Sequence, residues 1–141
     1  MIAFGTLVLD NEAAQALADA GHRKHRAVQA FVVARATRSR RRRTRPAVLV
    51  PTVVRVEALL DRRSPSTSSL GRLGVRDVAL DTAGADIAVG PRAAAGGSTT
   101  DACVAAVASA AAGPVTVLTS DLSDVPGLLA AADVRAVVHR I

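Results

Sequence analysis

The chain has 141 residues, half of them apolar, with a single cysteine and a net charge of +6. That length suits one domain with a real core and is too short for two. No apolar run reaches the roughly 18 to 20 residues that span a bilayer, Met1 to Leu9 lacks the basic n-region of a signal peptide, and Cys103 has no second cysteine to pair with, so a cytoplasmic protein without membrane contact is expected.

The positive charge is arginine: 17 residues, beside the one lysine Lys24, against ten aspartates and two glutamates. Guanidinium groups grip phosphate through a bidentate fork, which makes nucleic acid a natural partner. A GC-rich gene also yields much Arg and Ala, although that does not explain local clusters. Only Phe4 and Phe31 are aromatic, so the core must be built from Ala, Val and Leu.

Phe4 to Leu9 reads as a first strand ending at Asp10. Asn11 is placed to cap the helix that follows, where Ala13, Ala14, Leu17 and Ala18 recur at helical spacing. A second helix starts at His22 or His25 and runs through Ala36. It gives way to a basic run from Thr37 to Arg45, ahead of Pro46. Ala47 to Val50 reads as a short strand. Pro51 suits the first turn of a helix, whose apolar stripe is expected to be Val53, Val56, Leu59 and Leu60, with Glu57 inside it.

Arg62 to Ser69 is polar and turn-forming, a mobile loop with one helical turn expected at Leu70 to Leu73. Val75 to Leu80 alternates as a strand does, and Asp81 or Thr82 caps a helix from Ala83 to about Ala95. After Gly96 to Thr100, a helix of very small residues runs from Asp101 to Ala111. Burial is the favoured reading of its apolar girth, a dimer contact the other. Val115 to Thr119 is a buried strand stopping at Ser120-Asp121, a helix carrying Leu128 and Leu129 follows near Pro126-Gly127, and Val134 to His139 is a last strand. The order βαα-βα-βαα-βαβ, without hairpin signals, argues an α/β fold with a parallel sheet of four or five strands and helices on both faces.

Several carboxylates fall where such a sheet gathers them. Asp10 and Asp121 each follow directly on an apolar strand, Asp101 is in the first turn of a helix, and Glu57 lies about two turns beyond the second strand. Asp124 follows Asp121 by three residues, an offset that suits either a metal or a helix cap. Carboxylates crowded together repel unless cations neutralise them. Hard oxygen donors select Mg²⁺ or Mn²⁺, and one or two such ions activate water for phosphodiester hydrolysis. Glu57, a charge expected on a buried stripe, points most strongly to function. The three histidines have no partnered spacing, and Cys103 has no histidine arranged to activate it.

Val8-Leu9-Asp10-Asn11, Val50-Pro51-Thr52-Val53-Val54-Arg55-Val56-Glu57-Ala58-Leu59, Thr99-Thr100-Asp101-Ala102 and Leu118-Thr119-Ser120-Asp121-Leu122-Ser123-Asp124 resemble the four acidic motifs of PIN-domain ribonucleases, most closely the VapC-type toxins of bacterial toxin–antitoxin pairs. The resemblance covers nearly the whole chain in order. It implies a Rossmann-like PIN fold, Mg²⁺- or Mn²⁺-dependent endonucleolytic cleavage of RNA, a homodimer, and inhibition by a small cognate antitoxin. Asp10, Glu57, Asp101 and Asp121 match the family's acidic quartet, with Asp124 an extra or substitute ligand. Asn11, Thr119 and Ser120 match polar neighbours that orient the carboxylates or a metal water.

The basic run and the Ser-rich loop at 64–69 depart from the family's general pattern. Arg40, Arg41, Arg42 and Arg43 are candidates for gripping the RNA backbone, steering substrate or meeting an acidic antitoxin segment, with a solvated helix end as the plainer reading. A phospho-accepting receiver domain needs a late lysine that the chain lacks. A haloacid-dehalogenase-like phosphatase expects DxD where Asp10-Asn11-Glu12 stands. A PIN-like protein that binds RNA or a partner with its acids unused is the remaining alternative.

Overall fold

The computed structural model describes residues 5–41, 48–67, 70–111 and 113–141, without the side chains of residues 38–41 and 66. Among the described residues five strands, β1 (Thr6–Leu9), β2 (Val48–Pro51), β3 (Val75–Val78), β4 (Val115–Thr119) and β5 (Ala136–Arg140), form one sheet. Its order is β3-β2-β1-β4-β5 and every pairing is parallel. Aliphatic and β-branched runs without polar alternation mark strands buried on both faces. β1 and β4 occupy the centre accordingly, and Leu7, Val8, Leu9, Val117 and Leu118 are all fully buried. The edge strands β3 and β5, with Arg76, Asp77 and Arg140 among their residues, are largely open to solvent.

Among the described residues six α-helices connect the strands: α1 (Asn11–Ala18), α2 (His25–Arg41), α3 (Thr52–Glu57), α4 (Thr82–Ala95), α5 (Thr99–Ala110) and α6 (Asp124–Ala131). α1 packs with α2 and α3, whereas α4, α5 and α6 pack together, so the two groups clothe the two faces of the sheet. The α/β class, the parallel sheet and the order of elements expected from the sequence are those observed. The Ala-rich α5 is buried nearly all round, from Ala102 through Ala106 and again at Ala108. Its missing bulk lets α4 and α6 close on it from either side, which accounts for its apolar girth. Among the described residues no helix is long and apolar enough to cross a membrane.

The chain visits β2 and β3 on one side of β1, then crosses to β4 and β5 on the other. The winding therefore reverses between β1 and β4, and a crevice opens beyond their carboxyl ends, where α/β sheets bind ligands. Pairing extends to that rim: Leu9 faces Leu118, and the Asp10 N–H donates to the Leu118 carbonyl at 3.2 Å.

Several boundaries differ from the sequence reading. Asp10, not Asn11, caps α1, its Oδ1 accepting from the Ala13 N–H at 2.9 Å. α2 continues through Arg41, because arginine is a good helix former and nothing in the basic run breaks the turn. Arg40 and Arg41 thus lie on a helix, while Arg42 and Arg43 fall outside the described residues, as do Phe4, Ala47, Ser68 and Ser69. The Ser-rich stretch begins with a 3₁₀ turn at Pro65–Thr67, tied down by the Thr67 hydroxyl donating to the Asp61 carbonyl at 2.5 Å.

The largest departure is α3. Leu59 has a left-handed backbone, φ 55°, and the Leu60 N–H returns to the Arg55 carbonyl at 2.9 Å, which closes the helix after six residues. Val54, Ala58 and Leu60 face the core, while Val56 is 78% and Leu59 86% exposed. Glu57 is exposed too, so the buried stripe expected to contain it does not exist.

Gly5 lies where β1 enters beside Pro114: a Cβ there would sit 2.2 Å from the Pro114 carbonyl oxygen, which also accepts the Thr6 N–H. Gly127, inside α6, has nothing within 4 Å of such an atom. Gly5→Ala is expected to cost about 1–3 kcal/mol, and Gly127→Ala to add about 0.5–1 kcal/mol. Urea unfolding of the two variants checks both signs.

Candidate metal centre

The crevice beyond β1 and β4 is lined by carboxylates whose local structure fixes each in turn. Asp10 is 4% exposed at the junction of β1 and α1. Burial raises its pKa above the ordinary aspartate value, against the opposing pull of the Thr119 hydroxyl and the Ala13 N–H, and the Asp101 charge raises it further. Thr119, fully buried at the end of β4, also accepts the Asp121 N–H at 2.9 Å. One threonine therefore ties the tips of the two central strands together.

Asp121 turns the chain from β4 into α6. Its Oδ1 accepts from the Asp124 N–H at 2.9 Å, the Ser123 hydroxyl at 2.8 Å and the Ser123 N–H at 2.9 Å. These donors, the Asp124 amide foremost, hold its pKa below the usual aspartate range. The capping role considered for Asp124 thus belongs to Asp121, whose Oδ2 takes none of these bonds. Asp124 itself stands exposed in the first turn of α6, and among the described residues nothing donates to its carboxylate.

Asp101 comes from the opposite side, in the first turn of α5. Ser98 caps that helix, accepting the Asp101 N–H at 3.0 Å. Partial burial raises the Asp101 pKa; the Ser98 hydroxyl lowers it, and Asp121, Asp124 and Glu57 raise it again. Glu57 is held by the Thr100 hydroxyl, which donates to its Oε2. Position on α3 would not aim this exposed side chain at the crevice, but a hydrogen bond from the neighbour of Asp101 does.

Asp101, Asp121 and Asp124 each offer an oxygen within 4.8 Å of the others. That spacing lets the three carboxylates converge on one small cation. Asp10 and Glu57 lie outside this trio, yet both act electrostatically on or through Asp101. The donors are all oxygen, from three carboxylates on two helices and the turn between strand and helix, and such a set fits a small hard cation. Asn11 supplies a further sign of incompleteness beside Asp10: its Oδ1 is shut off from solvent with no hydrogen-bond partner among the described residues, an arrangement that costs about 1–3 kcal/mol.

Ser120, expected to orient the carboxylates, instead donates to Glu12 Oε2, and Glu12 Oε1 meets Lys24 Nζ at 2.9 Å. Glu12 and Lys24 escaped sequence reasoning, because a surface glutamate in a first helical turn has an ordinary explanation. Ser98 was read as part of the loop before α5, although a serine three residues ahead of a first-turn acid is a capping pattern. The pairing of Thr100 with Glu57 had no signal, since 43 residues separate them.

No protein-family model, curated protein or solved structure matches the chain in comparisons with known proteins.

Asp10 and Asp101 both hold their protons more tightly in the fold than in the unfolded chain. Above the ordinary aspartate pKa of about 3.9 the unfolded chain has released protons that the fold still binds, so their contribution falls as pH rises. Asp10→Asn and Asp101→Asn are therefore expected to raise the melting temperature of metal-free protein at pH 7. That advantage should vanish below about pH 4, where the wild-type carboxyls are neutral in both states. Scanning calorimetry in chelator at the two pH values checks it.

Proposed function

We propose that the protein is a divalent-metal-dependent endoribonuclease of the PIN-domain kind, the homodimeric toxin of a type II toxin–antitoxin pair held in check by a small antitoxin in the cytoplasm. The observation that carries this reading is the convergence of Asp101, Asp121 and Asp124 within 4.8 Å, at the crevice where the winding of the sheet reverses. The ordered acidic motifs and the arginine-borne positive charge support it. In this reading Asp101, Asp121 and Asp124 hold Mg²⁺ or Mn²⁺, one or two ions, with Asp10 and Glu57 completing the acidic wall. Held by these residues, the ion would supply Lewis-acid activation of water and neutralise charge at the phosphodiester.

The remaining chemistry is assigned to the chain's own groups. Beside its part in holding the metal, Asp101 or Asp121 orients the attacking water, and the proton released as the water oxygen bonds to phosphorus passes to solvent. The bond from phosphorus to the 3′ oxygen breaks in line, leaving a 3′-hydroxyl and a 5′-phosphate, with solvent protonating the departing oxygen. Thr100 holds Glu57 at the rim, and Thr119 braces Asp10 against the turn of Asp121. Arg40 to Arg43, at the end of α2 and just beyond it, are the proposed grip on the RNA backbone.

Single-stranded RNA should be cut in Mn²⁺ and left intact in chelator. The double variant Asp10→Asn with Asp101→Asn should lose cleavage by about a thousandfold or more, the scale of several kcal/mol of charge stabilisation, while circular dichroism reports an intact fold. Equal cleavage by wild type and double variant refutes the assignment. RNA binding without cleavage in any divalent metal would instead favour a PIN-like protein whose acids are unused.

A further inference from the structure

The one lysine of the chain is engaged with a glutamate that the acidic constellation does not include. Glu12 is in the first turn of α1, two residues beyond Asp10. Its two oxygens have different partners: Oε2 accepts the Ser120 hydroxyl, and Oε1 forms an ion pair with Lys24 Nζ at 2.9 Å. Ser120 is the residue between the end of β4 and Asp121, 108 positions away in sequence. The two side chains of the ion pair are 19% and 29% exposed, so the pair is only partly screened by water.

These contacts form a clamp across the crevice. From the β1 side, Asp10 and Glu12 reach over. From the β4 side, Thr119 and Ser120 answer them, Thr119 toward Asp10 and Ser120 toward Glu12. The turn so held carries Asp121, whose Oδ1 in turn organises the Ser123 and Asp124 amides. Two members of the acidic trio thus follow closely on a serine that is bonded to Glu12.

The ion pair answers the obvious objection. A further carboxylate in the first turn of α1 adds its repulsion to Asp10, and an ammonium 2.9 Å from Glu12 offsets that charge locally. A neutral acceptor would avoid the repulsion, but it would give a weaker hydrogen bond to the serine, since bonds to a charged acceptor are roughly twice as strong.

We propose that Glu12 is a positioning residue of the metal centre, fixing through Ser120 the turn that presents Asp121 and Asp124, with Lys24 as its counter-ion. This inference rests on the reading of the acidic trio as a divalent-metal site. Partners that orient metal ligands typically contribute about 10- to 100-fold to metal affinity.

Mn²⁺ titration of the full chain by calorimetry at fixed pH tests it, alongside hydrogen exchange of the Ser123 and Asp124 amides in the absence of metal. Glu12→Ala and Ser120→Ala should each weaken Mn²⁺ binding about tenfold and speed exchange at both amides. The double variant should be no weaker than either single one, because both remove the same bond. Glu12→Gln, which keeps an acceptor for Ser120 but loses the charge that strengthens the bond, should fall between Glu12→Ala and wild type in affinity, an outcome that general destabilisation of α1 would not produce. Wild-type affinity and exchange in both alanine variants, while Asp101→Asn loses Mn²⁺, would overturn the clamp and leave the metal site standing. Wild-type protein that binds no Mn²⁺ would overturn the metal reading and the positioning role with it, whereas altered amide exchange would still locate the Glu12–Ser120 contact.

Discussion

Parallel pairing of β1 with β4 at the middle of the sheet is the constraint from which the site descends. Two buried strands lie side by side with their carboxyl ends at one rim, and the helices leaving them depart on opposite faces. The rim between them cannot be covered by either connection. Whatever polar residues end the two strands must share that opening, and here they are Asp10, Thr119, Ser120 and Asp121. The first turn of α5 and the end of α3 close the remaining sides, bringing Asp101 and Glu57.

Gathering like charges at a partly dry rim opposes folding, and the chain meets that cost with donors assigned one by one. Asp121 takes two amides and a hydroxyl; Asp101 has Ser98, Glu57 has Thr100, and Glu12 has Ser120 and Lys24. Asp10, buried at the joint of β1 and α1, takes the Ala13 amide and the Thr119 hydroxyl, and burial still raises its pKa; Asp124, which stands exposed, takes no donor among the described residues. Hydroxyl groups predominate among these donors. A hydroxyl stabilises a carboxylate without neutralising it, so the crevice keeps its negative potential. Lys24 alone brings positive charge into these contacts, and it is directed at Glu12, which lies outside the acidic trio.

The sequence disclosed the sheet and the rim acids for a common reason: both are local. A run such as Val115 to Thr119 announces a buried strand by composition, and an acid placed immediately after it inherits the position of the strand's end. Asp10 and Asp121 could be read in this way. Asp101 was legible as a first-turn acid, though its approach to Asp121 and Asp124 depends on how α5 crosses the sheet. What stayed hidden were pairings across the fold, Thr100 with Glu57 and Ser120 with Glu12, because hydroxyl groups are common and their partners are chosen by tertiary structure. The hold of Leu59 on the end of α3 was hidden as well, since a left-handed turn normally announces itself by glycine.

Glu57 shows how a residue can stand beside the crevice for a different physical reason from the one expected. A charge on a buried stripe would have been a strong sign of function, because such burial needs compensation. The stripe dissolves once α3 ends early: Val54 and Ala58 take the core face, and Glu57 swings to the exposed one. Its link to the crevice rests on a single hydroxyl from α5, the helix that also carries Asp101. An exposed side chain has many rotamers and loses entropy when it is fixed. A charge-assisted bond to Thr100 restricts that freedom and keeps the carboxylate beside the others. The fourth wall of the crevice is therefore held by a tertiary hydrogen bond, and burial contributes nothing to placing it.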